Sequence, residues 1–304
     1  MDVTDVLRDR RGEPEGLQKM LVASIAAHVV VAAIAIAQQP MRLPQASPGA
    51  VVKQTIGLND VTITYSRPGV KGRKIWGGLV PYGTVWRTGA NSATTIQFTE
   101  DVLVEGQPVP AGTYSLHTIP GEKEWTLILN KDANQWGSYS YDPAKDVLRV
   151  KVTPVAGGPE EWMQFRFEDP TVNSARAVLV WENLQVPFTV KNQTDTNVRA
   201  VAMLRESVAK AKPGDWQTYY RAGNYLTQNR LYLDDAGAWL DKAIAISPTP
   251  QTHYAKARFL DVQGKTAEAI GELDRALAAA TPTTPAPLVE EIRNVKKTWS
   301  EKKS

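Results

Sequence analysis

The chain has 304 residues, a formal net charge of +3 and no cysteine. Its length suggests about two domains, and 42% hydrophobic with 22% charged residues excludes wholesale disorder. The missing thiol excludes a disulfide scaffold, a Cys-ligated metal, a thiol nucleophile and a lipoprotein anchor, while the near-neutral balance gives no reason to expect nucleic acid.

Residues 1–19 are polar and read as a cytoplasmic segment. Residues 20–37 (MLVASIAAHVVVAAIAIA) are apolar except for Ser24 and His28. As a helix this run spans roughly 27 Å, enough to cross a hydrocarbon core. It predicts one transmembrane anchor, or a signal segment cleaved after Ala37 at the small-x-small sequence Ala35-Ile36-Ala37. The preceding residues are not net positive, which favours the anchor. The expected location is the bacterial cell envelope: inner-membrane anchored with periplasmic domains, or secreted if cleaved. Ser24 and His28 are four apart and share a helix face, and an ionisable group in a span points to function. The first 35 or so residues, including VTDVLRDRRGEPEGLQKMLVASIAAHVVV, resemble the anchor of TonB-type energy-transducing proteins. That resemblance implies that Ser24 and His28 couple to a proton-driven inner-membrane motor.

Residues 38–49 (QQPMRLPQASPG) read as a Pro-containing linker. From 50 to 190 the hydrophobic period is two. Val61, Ile63 and Tyr65 alternate with threonines; Trp125, Leu127, Leu129 and then Leu148, Val150, Val152 follow. Met163, Phe165, Phe167 and Ala175, Ala177, Leu179, Trp181 complete the series. Frequent Gly and Pro turns between them predict an antiparallel β-sandwich or jelly-roll-like domain. Its six tryptophans are expected mostly in packing. Residues 61–99 contain no Asp or Glu but hold Arg67, Lys71, Arg73, Lys74 and Arg87. Interleaved with Trp76, Tyr82, Trp86, Thr88, Asn91 and many glycines, these cations suggest a loop that binds an anionic or glycan ligand. The competing reading is a structural loop whose arginines pair with acids elsewhere.

TITYSRPGVKGRKIWGGLVPYGTVWRTGANSATTIQF and PAGTYSLHTIPGEKEWTLILNKDANQWGSYSYD resemble a bacterial domain-of-unknown-function family, number 2911, over about residues 50–190. The resemblance implies an exported protein, with helical repeats often following the domain, and no known activity. His117 joins the candidate ligand residues. With Ser115 it also supports an alternative reading, an envelope hydrolase, because residues i and i+2 of a strand share a face.

After residue 190 the period becomes helical, and helices are expected at 196–212, 215–229, 231–246, 251–263, 266–279 and 286–300. Ala236 and Ala269, and Ala243 and Ala276, are 33 apart. This spacing resembles the tetratricopeptide repeat and implies a protein-binding surface. No nucleotide loop, metalloprotease motif or nucleophile elbow is present. Adjacent acids such as Glu160-Glu161 and Asp234-Asp235 read as solvated rather than catalytic. The expectation is a β-plus-α multidomain protein acting as a non-enzymatic binding or scaffolding module. No cofactor and no metal are expected.

Overall fold

The computed structural model describes residues 43–301. The membrane segment expected at 20–37, with Ser24 and His28, lies outside the described residues. Among the described residues no helix is long and apolar enough to cross a membrane.

Among the described residues ten strands form two antiparallel sheets. In chain order they are β1 (Gly49–Ile56), β2 (Asn59–Ser66), β3 (Thr94–Phe98), β4 (Val102–Val104), β5 (Gln107–Val109) and β6 (Gly112–Ile119), then β7 (Trp125–Asn130), β8 (Asp146–Val152), β9 (Val155–Glu168) and β10 (Ser174–Asn192). The first sheet has the order β1-β2-β3-β6-β7-β8 and the second β5-β4-β10-β9. The residues expected to alternate inward do so: Val61, Ile63, Trp125, Leu127, Leu129, Met163, Phe165, Ala177 and Leu179 are all buried in one core shared by both sheets. Tyr65 spans the two layers. Its ring meets Phe165 edge-on at 5.0 Å, and its hydroxyl accepts from the Phe165 N–H at 3.1 Å. Sequence alternation missed the short β3, β4 and β5 and the edge strand β1. The expected linker is also shorter, because β1 begins at Gly49.

Two long connections interrupt this regular frame. Residues 67–93 join β2 to β3, and residues 131–145 join β7 to β8. The first drives Trp76 and Trp86 into the core beside Trp125 and Trp181, with ring centroids 4.9–6.4 Å apart. The second covers the outer face of the first sheet. That is why β6 is buried on both faces from Tyr114 to Thr118 instead of alternating.

Among the described residues six α-helices follow the strands: α1 (Thr196–Ala209), α2 (Trp216–Asn229), α3 (Leu233–Ile246), α4 (Pro250–Val262), α5 (Thr266–Ala278) and α6 (Ala286–Glu301). Their starts are chemically marked. Asp195 accepts from the N–H groups of Asn197 and Val198, Asp215 from Thr218, and Thr249 and Thr252 form a reciprocal capping box behind Pro250. Ala236, Leu240 and Ala243 on α3, and Ala269, Leu273 and Ala276 on α5, are fully buried. The 33-residue spacing therefore marks equivalent core positions. Gly223 lets α2 approach α3 closely: a Cβ there would lie 2.7 Å from Leu240 Cγ.

The last strand passes directly into the first helix through a buried polar knot. The Asn192 amide donates to Ile56 O at 2.9 Å and to Thr196 Oγ1 at 3.0 Å, and its Oδ1 accepts from Asn59 at 3.3 Å. Arg199 of α1 pairs with Glu100 at 2.8 Å.

Candidate functional site

Residues 67–93 first cross to the second sheet. The Val70 N–H donates to Glu161 O, and Gly69 pairs with Trp162. Arg67 Nε donates to Met163 O at 2.9 Å. Arg73 folds back on its own turn, donating to Gly69 O at 2.6 Å and Val70 O at 3.1 Å. The Lys71 N–H donates to Glu161 Oε1, and its ammonium lies 5.8 Å from the Trp162 ring centroid. Arg67 and Arg73 thus fasten backbone. Arg73 lines a cavity of about 440 Å³ together with Glu160, Glu161 and Glu182. β9 and β10 thus bring acids to the wall of this cavity that the loop sequence lacks, though none pairs with Arg73. An anion gains little there.

The loop then returns to the first sheet. Trp76 and Trp86 pack in the core, and the Trp86 indole N–H donates to Gly89 O at 3.1 Å. Tyr82 remains exposed, its ring against Gly77, where a Cβ would meet it at 2.8 Å. Thr88 and Asn91 both adopt left-handed backbone, with φ of 53° and 58°. For a β-branched residue this is a strained geometry, of the kind that clusters at functional loops. Buried Thr88 is held by Thr94, whose hydroxyl donates to Thr88 O at 2.7 Å, and by Thr118, 3.1 Å away between hydroxyls. Asn91 Nδ2 donates to Ser66 Oγ at 3.3 Å. Arg87 carries a buried Nε with no hydrogen-bond partner. None of Arg67, Arg73 and Arg87 pairs with a carboxylate among the described residues, so the acid-pairing version of the structural reading does not hold.

At its end this loop meets residues 131–145. Ala93 N–H donates to Gln135 O at 2.9 Å, Gly137 N–H donates to Asn91 O at 3.1 Å, and Ser92 pairs with Trp136. Residues 91–93 and 135–137 therefore form a small antiparallel ribbon over the sheet. Alternation along it turns Gln135 inward and Trp136 outward. Trp136 is 66% exposed and Tyr139 86% exposed. Sequence reasoning treated tryptophans here as packing and passed over both residues. The available signal was the run ANQWGSYSY at 133–141, rich in aromatic, Ser and amide side chains and without a charge.

Beneath the ribbon lies a closed polar cluster. His117 is 0% exposed; its Nε2 is 3.1 Å from Ser115 Oγ and its Nδ1 3.2 Å from Ser138 Oγ. Gln135 Nε2 donates to Ser115 Oγ at 3.3 Å. Burial lowers the His117 pKa from 6.5 to about 4, with the charge of Asp146 acting the other way. The imidazole is therefore neutral at physiological pH. The Tyr141 ring lies beside it, tilted by 57° with centroids 5.1 Å apart, and its hydroxyl donates to Asp146 Oδ2 at 2.6 Å. Burial and that carboxylate raise the Tyr141 hydroxyl to about 12, and Arg149 completes the group by donating to Asp146 at 2.6 Å. Ser115 is equally closed to solvent. This arrangement pins residue 138, and with it the ribbon, to the sheet.

The helices offer a separate cleft of about 630 Å³ between α3, α4 and α5. Lys256 pairs with Asp241 at 2.7 Å across it, and Glu272 accepts from Arg275 and contacts His253 Nδ1 at 2.7 Å. Among the described residues no group of three or more His, Asp and Glu is placed to hold a metal ion.

Compared with known proteins, residues 47–190 match the family model DUF2911, described as a protein of unknown function. No curated protein matches the chain. The family match covers the two-sheet region, including the ribbon and the cluster beneath it.

Proposed function

We propose that the protein is a non-enzymatic binding module of the bacterial cell envelope. Residues 20–37 tether it, the ribbon face of the β domain takes an anionic or glycan ligand, and tetratricopeptide-like helices engage a protein. The observation that carries the binding role is the pair Trp136 and Tyr139, held out to solvent on a ribbon that is hydrogen-bonded to the sheet. Exposed aromatic side chains on a pinned backbone supply contact area at low entropic cost. The equivalent buried positions of α3 and α5 support the repeat reading of the helices. The apolar length of 20–37 supports the tether. Co-sedimentation of the full chain with isolated envelope fractions tests the binding role. The expected result is retention that drops about tenfold in a folded Trp136→Ala/Tyr139→Ala variant. Undiminished retention overturns it.

One observation favours a second reading, an envelope hydrolase. Neutral His117 lies 3.1 Å from Ser115 Oγ, within reach for activating a nucleophile. Movement of residues 131–145 would have to admit a substrate. Turnover of simple aryl esters that Ser115→Ala abolishes supports this reading; no turnover, or turnover that survives the substitution, ends it.

A further inference from the structure

We infer that the ligand of the ribbon face is a neutral saccharide chain and not an anion. This rests on the binding role proposed for that face and adds its chemical class. Three observations point the same way.

The first is charge. Residues 88–99 and 133–141, which supply both strands of the ribbon and its flanks, carry no ionisable acid or base other than the phenols of Tyr139 and Tyr141. At the margin Asp132 pairs with Lys145 at 3.2 Å and Asp142 accepts from the Ala144 N–H at 2.9 Å, while Arg87, whose buried Nε has no partner, and exposed Lys131 border the two segments from outside. Two of the five cations that suggested an anion spend their hydrogen bonds on backbone carbonyls, Arg67 on Met163 O of the opposite sheet and Arg73 on Gly69 O and Val70 O of its own turn. The two ribbon segments themselves offer a polyanion no cationic fork.

The second is shape. A sugar ring presents a flat C–H face and a rim of hydroxyls. Trp136 and Tyr139 supply flat aromatic faces, and the Tyr139 ring lies against Gly137, where a Cβ would come within 2.8 Å of it. Ser92, Asn134 and Ser140 stand exposed along the same two segments. They offer neutral donors and acceptors that can follow a hydroxyl rim. Aromatic anchors among Ser, Asn and Gly are the mix that adaptable recognition surfaces use.

The third is rigidity. The ribbon is closed by the Ala93–Gln135 and Gly137–Asn91 hydrogen bonds, and Ser138 is tied to buried His117. Little ordering remains to be done on binding, so a few stacking contacts suffice for measurable affinity.

Calorimetric and intrinsic-fluorescence titration of the full chain tests the inference. The neutral probes are cellohexaose, laminarihexaose and N-acetylchitohexaose, and the anionic probe is polygalacturonate. The expected result is binding of at least one neutral hexasaccharide, nearly unchanged between low and high salt. Trp136→Ala should weaken it about tenfold while circular dichroism stays native. Tyr139→Phe, which keeps the ring, should bind as the parent does. Binding of polygalacturonate alone, screened by salt and lost in Trp136→Ala, keeps the face as a site but overturns the neutral class. The class also fails if none of the three neutral probes binds while envelope retention still depends on Trp136. Retention indifferent to Trp136 and Tyr139 overturns the binding role beneath it.

Discussion

The side-chain amide of Asn192, the last residue of β10, donates to the hydroxyl of Thr196, the first residue of α1, at 3.0 Å. The same amide reaches Ile56 O, and the Thr196 hydroxyl donates in turn to Val172 O at 2.8 Å. Strand, hairpin and helix are joined by groups that water does not reach. Asn192→Ala leaves the Ile56 carbonyl and the Asn59 amide short of partners, and each such loss costs about 1–3 kcal/mol. The expected result is about 2–4 kcal/mol less stability by urea denaturation, with helices and sheets lost in one transition. Wild-type stability in this variant would contradict the role given to the knot.

Stability should fall as pH drops from 6.5 toward 4. His117 is neutral when folded down to about pH 4, whereas the unfolded imidazole takes its proton near 6.5. Between those values the unfolded state binds more protons, so acid favours unfolding; above 6.5 the contribution is fully present. The window corresponds to about 3 kcal/mol. His117→Gln should flatten this part of the pH profile, whatever its own cost at neutral pH. A variant with the same slope would place the acid sensitivity elsewhere.

Two tryptophans separate packing from display. Trp125 is 0% exposed in the shared core, and Trp125→Ala should cost about 3–5 kcal/mol. Trp136→Ala should change stability by no more than about 0.5 kcal/mol, since its side chain stands in solvent. Thermal unfolding of both variants checks the contrast.

Two glycines in the helices should respond in opposite directions. A Cβ at Gly223 would press on Leu240 Cγ at 2.7 Å and Ala236 O at 3.0 Å. Gly223→Ala should destabilise by about 1–3 kcal/mol. A Cβ at Gly271, inside α5, meets nothing within 4 Å, so Gly271→Ala should stabilise by about 0.5–1 kcal/mol. Chemical denaturation measures both.

The helices were legible to within three residues at each end, because periodic apolar positions and Pro-Gly stops act locally. The expected 231–246 and 251–263 became Leu233–Ile246 and Pro250–Val262. Strands with one clean buried face were legible too. β1 was not, because an edge strand buries its inward side only partly, and three- to five-residue strands carry too little pattern. The loop at 67–93 stood out by charge, but charge along a chain does not report which acids other strands bring to it. Glu160, Glu161 and Glu182 arrive from β9 and β10 and share a cavity wall with Arg73. Trp136 and Tyr139 escaped notice because a hydrophobic residue in a β-rich segment reads as core until a backbone ladder turns it outward. The Ser115–His117 contact followed from strand periodicity alone; its closure under residues 131–145 did not.

The four indoles of Trp76, Trp86, Trp125 and Trp181, gathered within 4.9–6.4 Å of their neighbours, have an optical consequence. At such separations excitation passes among the rings, and their ultraviolet transitions couple into a strong chiral signal that vanishes when the sheets part. Trp136 stands apart in water and emits further to the red. The coupled signal thus reports the interior of the β domain, while the emission that Trp136→Ala removes, against the background of Trp162, Trp216, Trp239 and Trp299, reports whatever settles on the ribbon.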